Sequence, residues 1–427
     1  AITKIQAIVL ITIFMTASSG VAAWYITSPT APTTLPARVK KIAVVSDIGG
    51  PGDLSYNDMA FKGGREAARD LGVQMVELIS EREADYVPKL EIAAEDNDVI
   101  LVVGVGPLLS HGIEDAAHRY PDQNFAIIDG FVPGMPNVMS ILYEEHKGSA
   151  VVGAFAALTA AHYGHPHIGM VLGAESQFLW KYEIGYKWGA DWALKWYQNK
   201  FSRPAPVISG TEIRYRVLWT YTGTFTDTRR GYEAAKIIYS LGGGVVYNAA
   251  GPLGLGINQA VQELATEKGL TSGPPFWIGV DSDQDWINPG FVLVSMMKRV
   301  DRGVYFAAQL AVQGKFRQVV ADSKGAIVLG IGTTISSIST TGISVSTLDD
   351  LEEFIEMGVN AEQLTGKKVL PMSPDEIKAK VKAMRDALPS WIWEAVAELE
   401  EAIKNDPNLV PLPTTQEAVD QWRAILG

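Results

Sequence analysis

KIAVVSDIGGPGDLSYNDMAFKGGREAARDLG (Lys41–Gly72) passes from an apolar strand through a glycine-rich turn into a helical pattern. Ile42–Val45 read as a buried strand, because a short unbroken apolar run bounded by turn residues has little other use. Gly49, Gly50, Pro51 and Gly52 then clear side chains from the chain just beyond the strand. Asp53, Ser55, Tyr56, Asn57 and Asp58 follow, where the helix begins. Asp53 and Asn57 have a plain use there, since Asp and Asn are favoured helix caps. Capping does not call for an aromatic ring among carboxylates and an amide, and that combination points to a ligand.

The same alternation continues outward. Strands VQMVELIS, DVILVVG, NFAIIDG and VMSILY are separated by helical stretches, and a long helix EEHKGSAVVGAFAALTAAHYG (Glu144–Gly164) follows. HIGMVLG, VLWTYTG, GVVYNAAG, PFWIGVD and FVLVSMMK then repeat the rhythm. Helices between short buried strands mean βαβ units and parallel sheets. The length fits two α/β lobes in series, 40–145 plus about 285–413 and 146–284. Ligands of such sheets sit beyond the carboxyl ends of the strands. There the sequence places Asp47, Tyr56 and Asn57, the glycines before Pro107, Asp129, Tyr247 ahead of Gly251, Asp281, Asp283 and Asp285, and Lys298. Rings, carboxylates, an amide and a lysine beside glycines suit a flat, hydroxyl-bearing molecule. A lone tyrosine at a strand end, such as Tyr247, also suits ordinary core packing.

The 427 residues are 47% hydrophobic and 20% charged, with a net charge of −12. That is a globular composition, and the acidic balance without basic clusters speaks against a nucleic-acid surface. The sequence has no cysteine. Disulfides, thiolate metal sites and a lipid anchor on an N-terminal cysteine are thereby excluded for it. DSDQD (Asp281–Asp285) opens like a calcium loop, but Trp286 and Val292 occupy its sixth and twelfth positions. HYGHPH (His162–His167) reads as a loop, not a metal site. No metal, cofactor or catalytic motif is expected.

Ile5–Trp24 is uncharged, and 20 helical residues span roughly 30 Å. A hydrophobic helix over residues 1–26 is expected, serving either as a membrane anchor or as the core of a filament. The start at Ala1 and the length of the run resemble type IV pilins and archaeal binding proteins with pilin-like leaders. The small residues Thr12, Thr16 and Gly20 would let such helices approach closely. Residues 27–39 are a Pro/Thr-rich spacer.

SDIGGPGDLSYND resembles the signature of the basic membrane protein family, substrate-binding proteins of ABC transporters that include nucleoside-binding members. FAIIDG, ILYEEHKGSAVVGAFAA, TGTFTDTRRGYEAA, NAAGPLGLG and IGVDSDQDWINPGFVLVSMMKRVD resemble its later blocks in order, from about Lys41 to about Pro413. The resemblance implies a two-lobed, type I periplasmic-binding-protein-like α/β fold on the cell surface, with an ABC permease as partner. It implies that Tyr56 and Tyr247 stack on a nucleobase and that Asn57 and Asp129 bond its edge. Asp281 and Lys298 would hold the ribose, backbone near Gly251 would assist, and Asp47 would line the floor. Tyr56 stands where the family has Phe, and Pro107 where it usually has an aromatic. The C-terminal helices within MSPDEIKAKVKAMRDAL and IWEAVAELEEAIKNDPN are expected on the first lobe, with 414–427 as a tail. An enzyme such as a nucleoside hydrolase would need a calcium-holding carboxylate cluster, which the failed DSDQD match does not supply. A structural, pilus-like filament subunit built on the binding fold is the alternative.

Overall fold

The computed structural model describes residues 38–205, 216–335 and 338–427. The expected hydrophobic helix at 1–26, and all of the 27–39 spacer up to residue 37, lie outside the described residues. Among the described residues no helix is long and apolar enough to cross a membrane.

In the first lobe β1 (Lys41–Val45), α1 (Tyr56–Leu71), β2 (Gln74–Leu78), α2 (Tyr86–Glu95), β3 (Val99–Val105), α3 (Ser110–Arg119), β4 (Phe125–Ile128) and β5 (Val138–Tyr143) alternate. The chain then crosses to the second lobe through α4 (Glu145–Tyr163). There β6 (His167–Leu172), α5 (Gln177–Phe201), β7 (Arg216–Tyr221), α6 (Thr228–Ser240) and β8 (Gly243–Ala249) follow. α7 (Leu253–Lys268), β9 (Phe276–Asp281) and β10 (Val292–Lys298) complete that lobe's alternation. The chain returns to the first lobe with α8 (Val300–Val312), α9 (Phe316–Asp322) and β11 (Ala326–Leu329). It passes through the hairpin β12 (Thr333–Ile335) and β13 (Ile338–Thr340), then rejoins the second sheet at β14 (Ile343–Val345). The helices α10 (Leu348–Thr365), α11 (Pro374–Asp386), α12 (Ser390–Asn405) and α13 (Gln416–Leu426) finish the chain.

Two six-stranded sheets result, ordered β11-β5-β4-β3-β1-β2 and β14-β10-β9-β8-β6-β7. The pairs are parallel throughout, apart from the antiparallel β14 on β10. Helices cover both faces, which is why β4, β8 and β10 are buried along their whole length and do not alternate. Strand order reverses between β1 and β3 in one sheet and between β6 and β8 in the other. Those switch points are where an open α/β sheet leaves a crevice.

The expected lobe boundary near residue 285 differs from the sheets. β10 and β14 both pair in the second sheet, so the return crossing comes at Lys298–Val300. Most of the C-terminal helices go with that lobe too. Trp393 of α12 packs edge-on against Phe155 of α4, at 4.8 Å between ring centroids. Arg423 of α13 pairs with Glu183 of α5 at 2.8 Å, so residues 414–427 are a docked helix and not a loose tail. α10 reaches the first lobe, through Glu353 and Lys62 of α1 at 2.7 Å. These aromatic and charged partners lie far apart in the chain, and no local pattern announces them.

Candidate functional site

The loop after β1 is built by its own side chains. Asp53 caps α1, its carboxylate accepting the N–H groups of Ser55 at 3.0 Å, Asn57 at 2.8 Å and Asp58 at 3.2 Å. Burial and the neighbouring Asp58 nevertheless push its carboxyl up to about 7. The Asn57 amide donates to Asp47 at 2.7 Å and to Asp53 at 3.1 Å, and its oxygen accepts the Asp47 N–H at 3.3 Å. Capping and site therefore share these residues. Burial raises the Asp47 carboxyl despite those donors. Gly106, after β3, has φ +101, and a Cβ there would press on the Asp47 carboxylate at 3.2 Å. Only glycine combines that backbone with that closeness.

Asp129 and Asp281 occupy matching places, just past β4 and at the end of β9. Both are left-handed, at φ +60 and +67, a conformation Asp tolerates better than most side chains. The strand ends thus turn sharply and deliver both carboxylates to the crevice. Burial raises Asp281 to about 6, with Lys298 and a hydrogen bond from Ser55 opposing the rise.

The two lobes meet directly across this crevice. Ser55 donates to Asp281 at 2.9 Å, and Ser282 and Gln284 donate to the Leu54 carbonyl at 2.6 and 3.0 Å. Gly251, at φ +52, stands opposite Ser55.

Lys298 lies at the centre. Its side chain is 1% exposed and pairs closely with Asp129, while its ammonium stands 2.8 Å from Glu145. Rings surround the ammonium, with centroids at 4.3 Å for Phe178, 5.3 Å for Tyr143 and 5.5 Å for Tyr56. Burial works to lower this lysine's pKa, but Asp129, Glu145 and Asp281 together raise it. Glu145 also accepts from Lys181 at 2.8 Å. Burial works to raise its carboxyl, yet Lys298 and Lys181 outweigh it and hold the group at about 2.

Seven of the residues expected from sequence are thus brought together between the lobes: Asp47, Tyr56, Asn57, Asp129, Gly251, Asp281 and Lys298. Tyr247 lies deeper, with Asp281 and Glu145 close enough to help raise its hydroxyl. It is fully buried, tilted against Tyr186 at 5.2 Å, with its hydroxyl 3.4 Å from Ser149. Its place in the middle of the buried strand β8 turns the ring into the layer below. The second lobe offers other rings: Phe178 beside Lys298, and the partly exposed Phe225, whose ring lies over Gly173 at the end of β6. Glu145 was findable, since it follows a strand as the other site residues do. Phe178 was findable on the same ground, as the second residue of α5 just past the bend that follows β6.

DSDQD forms a different structure. Asp285 is fully buried, accepts from Ser295 and Ser346 at 2.7 and 2.8 Å, and pairs closely with Arg385 of α11. Among the described residues no group of three His, Asp or Glu side chains is placed to hold a metal ion.

The sequence profile of the Bmp family, described as ABC transporter substrate-binding protein PnrA-like, matches residues 40–195 and 208–335. The chain belongs to this family. An uncharacterized lipoprotein of Pyrococcus abyssi is 34% identical over 91% of this chain and 88% of the relative. The ABC transporter nucleoside-binding protein BmpA of Lactococcus lactis is 28% identical over 65% of this chain and 76% of the relative. A crystal structure of an ABC transporter solute-binding protein from Aeropyrum pernix superposes with a TM-score of 0.74 at 29% identity, covering 91% of this chain and 97% of that one. Membership in the Bmp family makes this a solute-binding protein, with a small-molecule ligand and a permease as partner. The α/β fold of two parallel-sheet lobes expected from the sequence is the fold of that class.

Proposed function

We propose that this Bmp-family protein captures a nucleoside between its lobes at the cell surface and delivers it to an ABC importer. The observation that carries this reading is the convergence of an aromatic face, Tyr56, with Asp47, Asn57, Asp129, Asp281 and Lys298 in one interlobe crevice. Tyr56 offers a stacking surface for a base, with Phe178 or Phe225 as the ring from the second lobe. The carboxylates and Asn57 suit the base edge and the sugar hydroxyls. The name of the Lactococcus relative agrees with this ligand class. The apolar stretch at 5–24 is the candidate anchor.

Titration calorimetry of the full chain with adenosine and cytidine tests the proposal. Tyr56→Ala should weaken binding by about 1–3 kcal/mol, the worth of stacking a base on a ring. No heat with any nucleoside, from a wild type that binds another class of solute, would sink it.

A pH series adds an independent check. Asp281 accepts hydroxyl donors best when ionised, and its carboxyl lies at about 6 in the crevice. Because that value is raised, the ionised form prevails above pH 6 and is lost below it. Affinity should therefore fall about tenfold between pH 7 and pH 5, and Asp281→Asn should remove most of that slope, leaving only what Asp53, at about 7 behind Asn57, contributes. An unchanged slope in Asp281→Asn would assign the titration to another group.

A further inference from the structure

The two carboxylates on Lys298 come from different lobes. Asp129 follows β4 of the first sheet, whereas Lys298 ends β10 and Glu145 begins α4, both in the second lobe. α4 packs under β8, β10 and β14, and its Gly153, with Gly185 and Gly189 of the facing helix, lets it approach α5, which carries Lys181. An opening between the lobes would separate Lys298 from Asp129, whereas Lys298, Glu145 and Lys181 belong to one lobe.

We infer that Glu145 is a positioning residue for ligand capture, bridging Lys181 and Lys298 so that the Lys298 ammonium stays charged and aimed into the crevice when Asp129 turns to the ligand. The geometry is specific. Glu145 is fully buried at the first turn of α4, with one oxygen 2.8 Å from Lys298 and the other 2.8 Å from Lys181. The contact with Lys298 is an ion pair set off the hydrogen-bond axis. Lys181 also lies over the Phe178 ring at 5.5 Å, which fixes it on the same wall. The remaining groups facing the ammonium are Tyr182, with its hydroxyl at 3.5 Å, Asp281 from β9, and the rings of Tyr56 and Tyr143. Of these only Asp281 carries a full negative charge above about pH 6, and among the described residues it makes no direct ion pair with the ammonium as Glu145 does. The tyrosine hydroxyls are held well above their usual range by burial. Without Glu145 the lysine would face Lys181 with no carboxylate of its own lobe between them, and burial would drive it toward the neutral amine.

This inference rests on the nucleoside reading, and the test separates the two. Adenosine and cytidine do not ionise between about pH 7 and pH 9, a range in which an ordinary lysine stays charged. Wild-type affinity should be flat across it. Glu145→Gln should bind roughly thirtyfold more weakly at pH 7, the usual scale for removing one member of a buried charge pair. It should weaken further as pH rises, because a depressed lysine loses its proton on the way up. A merely structural role would lower affinity equally at every pH, and that result, or wild-type affinity in Glu145→Gln, overturns the inference. Should the variant not fold, or the wild type bind neither nucleoside, the Lys298 Nζ resonance of full-length Asp129→Asn and wild-type protein decides. It should remain that of an ammonium through about pH 9 in both. A neutral amine in Asp129→Asn shows that Glu145 does not hold the charge, whatever the ligand.

Discussion

Arg385→Leu should lower the unfolding free energy by about 3–5 kcal/mol at neutral pH, the cost of stranding one member of a buried ion pair. Its guanidinium pairs with Asp285, and it also donates to the carbonyl and hydroxyl of Ser346 at 3.2 and 3.1 Å. Leucine would leave the fully buried Asp285 with two hydroxyl donors and with Asp283 beside it. Burial already holds Asp285 above its ordinary value while Arg385 opposes that rise. Removing the arginine lifts it further. A raised carboxyl stabilises the fold relatively well at low pH and loses that stability as pH climbs through the folded value. The deficit should therefore be larger at pH 8 than at pH 5. Asp285→Asn/Arg385→Leu should recover most of it, because the amide can still meet both serines. Chemical denaturation at the two pH values reads all three results. A loss below about 1 kcal/mol, or one independent of pH, would show that the pair is hydrated after all.

Asp285 also shows where the sequence was legible and where it was not. Spacing alone was enough to reject calcium at DSDQD, because Trp286 and Val292 fill positions that need glycine and glutamate. What the aspartates do instead depends on Arg385, 100 residues away on α11. The ten strands read from Lys41 to Lys298 all form, since parallel strands buried on both faces must be short apolar runs bounded by turns. Strand ends led to Asp47, Asp129, Asp281 and Lys298 for the same topological reason. Tyr247 lies four residues before the glycine turn, still inside β8, where its ring packs against Tyr186. The lobe boundary failed at β10 because a parallel strand reads alike in either sheet. Its pairing with β9 is a tertiary choice that no residue of β10 announces.

Lys298→Met should weaken nucleoside binding at pH 7.5 by roughly a hundredfold or more, within the range for removing a buried, hydrogen-bonded charge. Methionine fits the space and suits the rings of Phe178, Tyr143 and Tyr56, so packing is largely kept. Charge is not. Glu145 keeps Lys181, but Asp129 loses its direct cationic partner in a buried crevice and rises further above its ordinary value. The protein then has two ways out at neutral pH: bind a proton at Asp129, or open and let water reach it. Opening gives up the hydrogen bonds of Ser55, Ser282 and Gln284 across the crevice, and the weaker one from Lys181 to the Tyr143 carbonyl. The charge at Asp285 has no such exit, so Lys298→Met should destabilise the fold much less than Arg385→Leu while enlarging the molecule in solution scattering. As pH falls, Asp129 takes its proton and the closed form returns, so the enlargement should shrink toward pH 5. A variant that stays compact at pH 7.5 and binds within a few-fold of wild type would show that Lys298 neither holds the ligand nor governs the crevice.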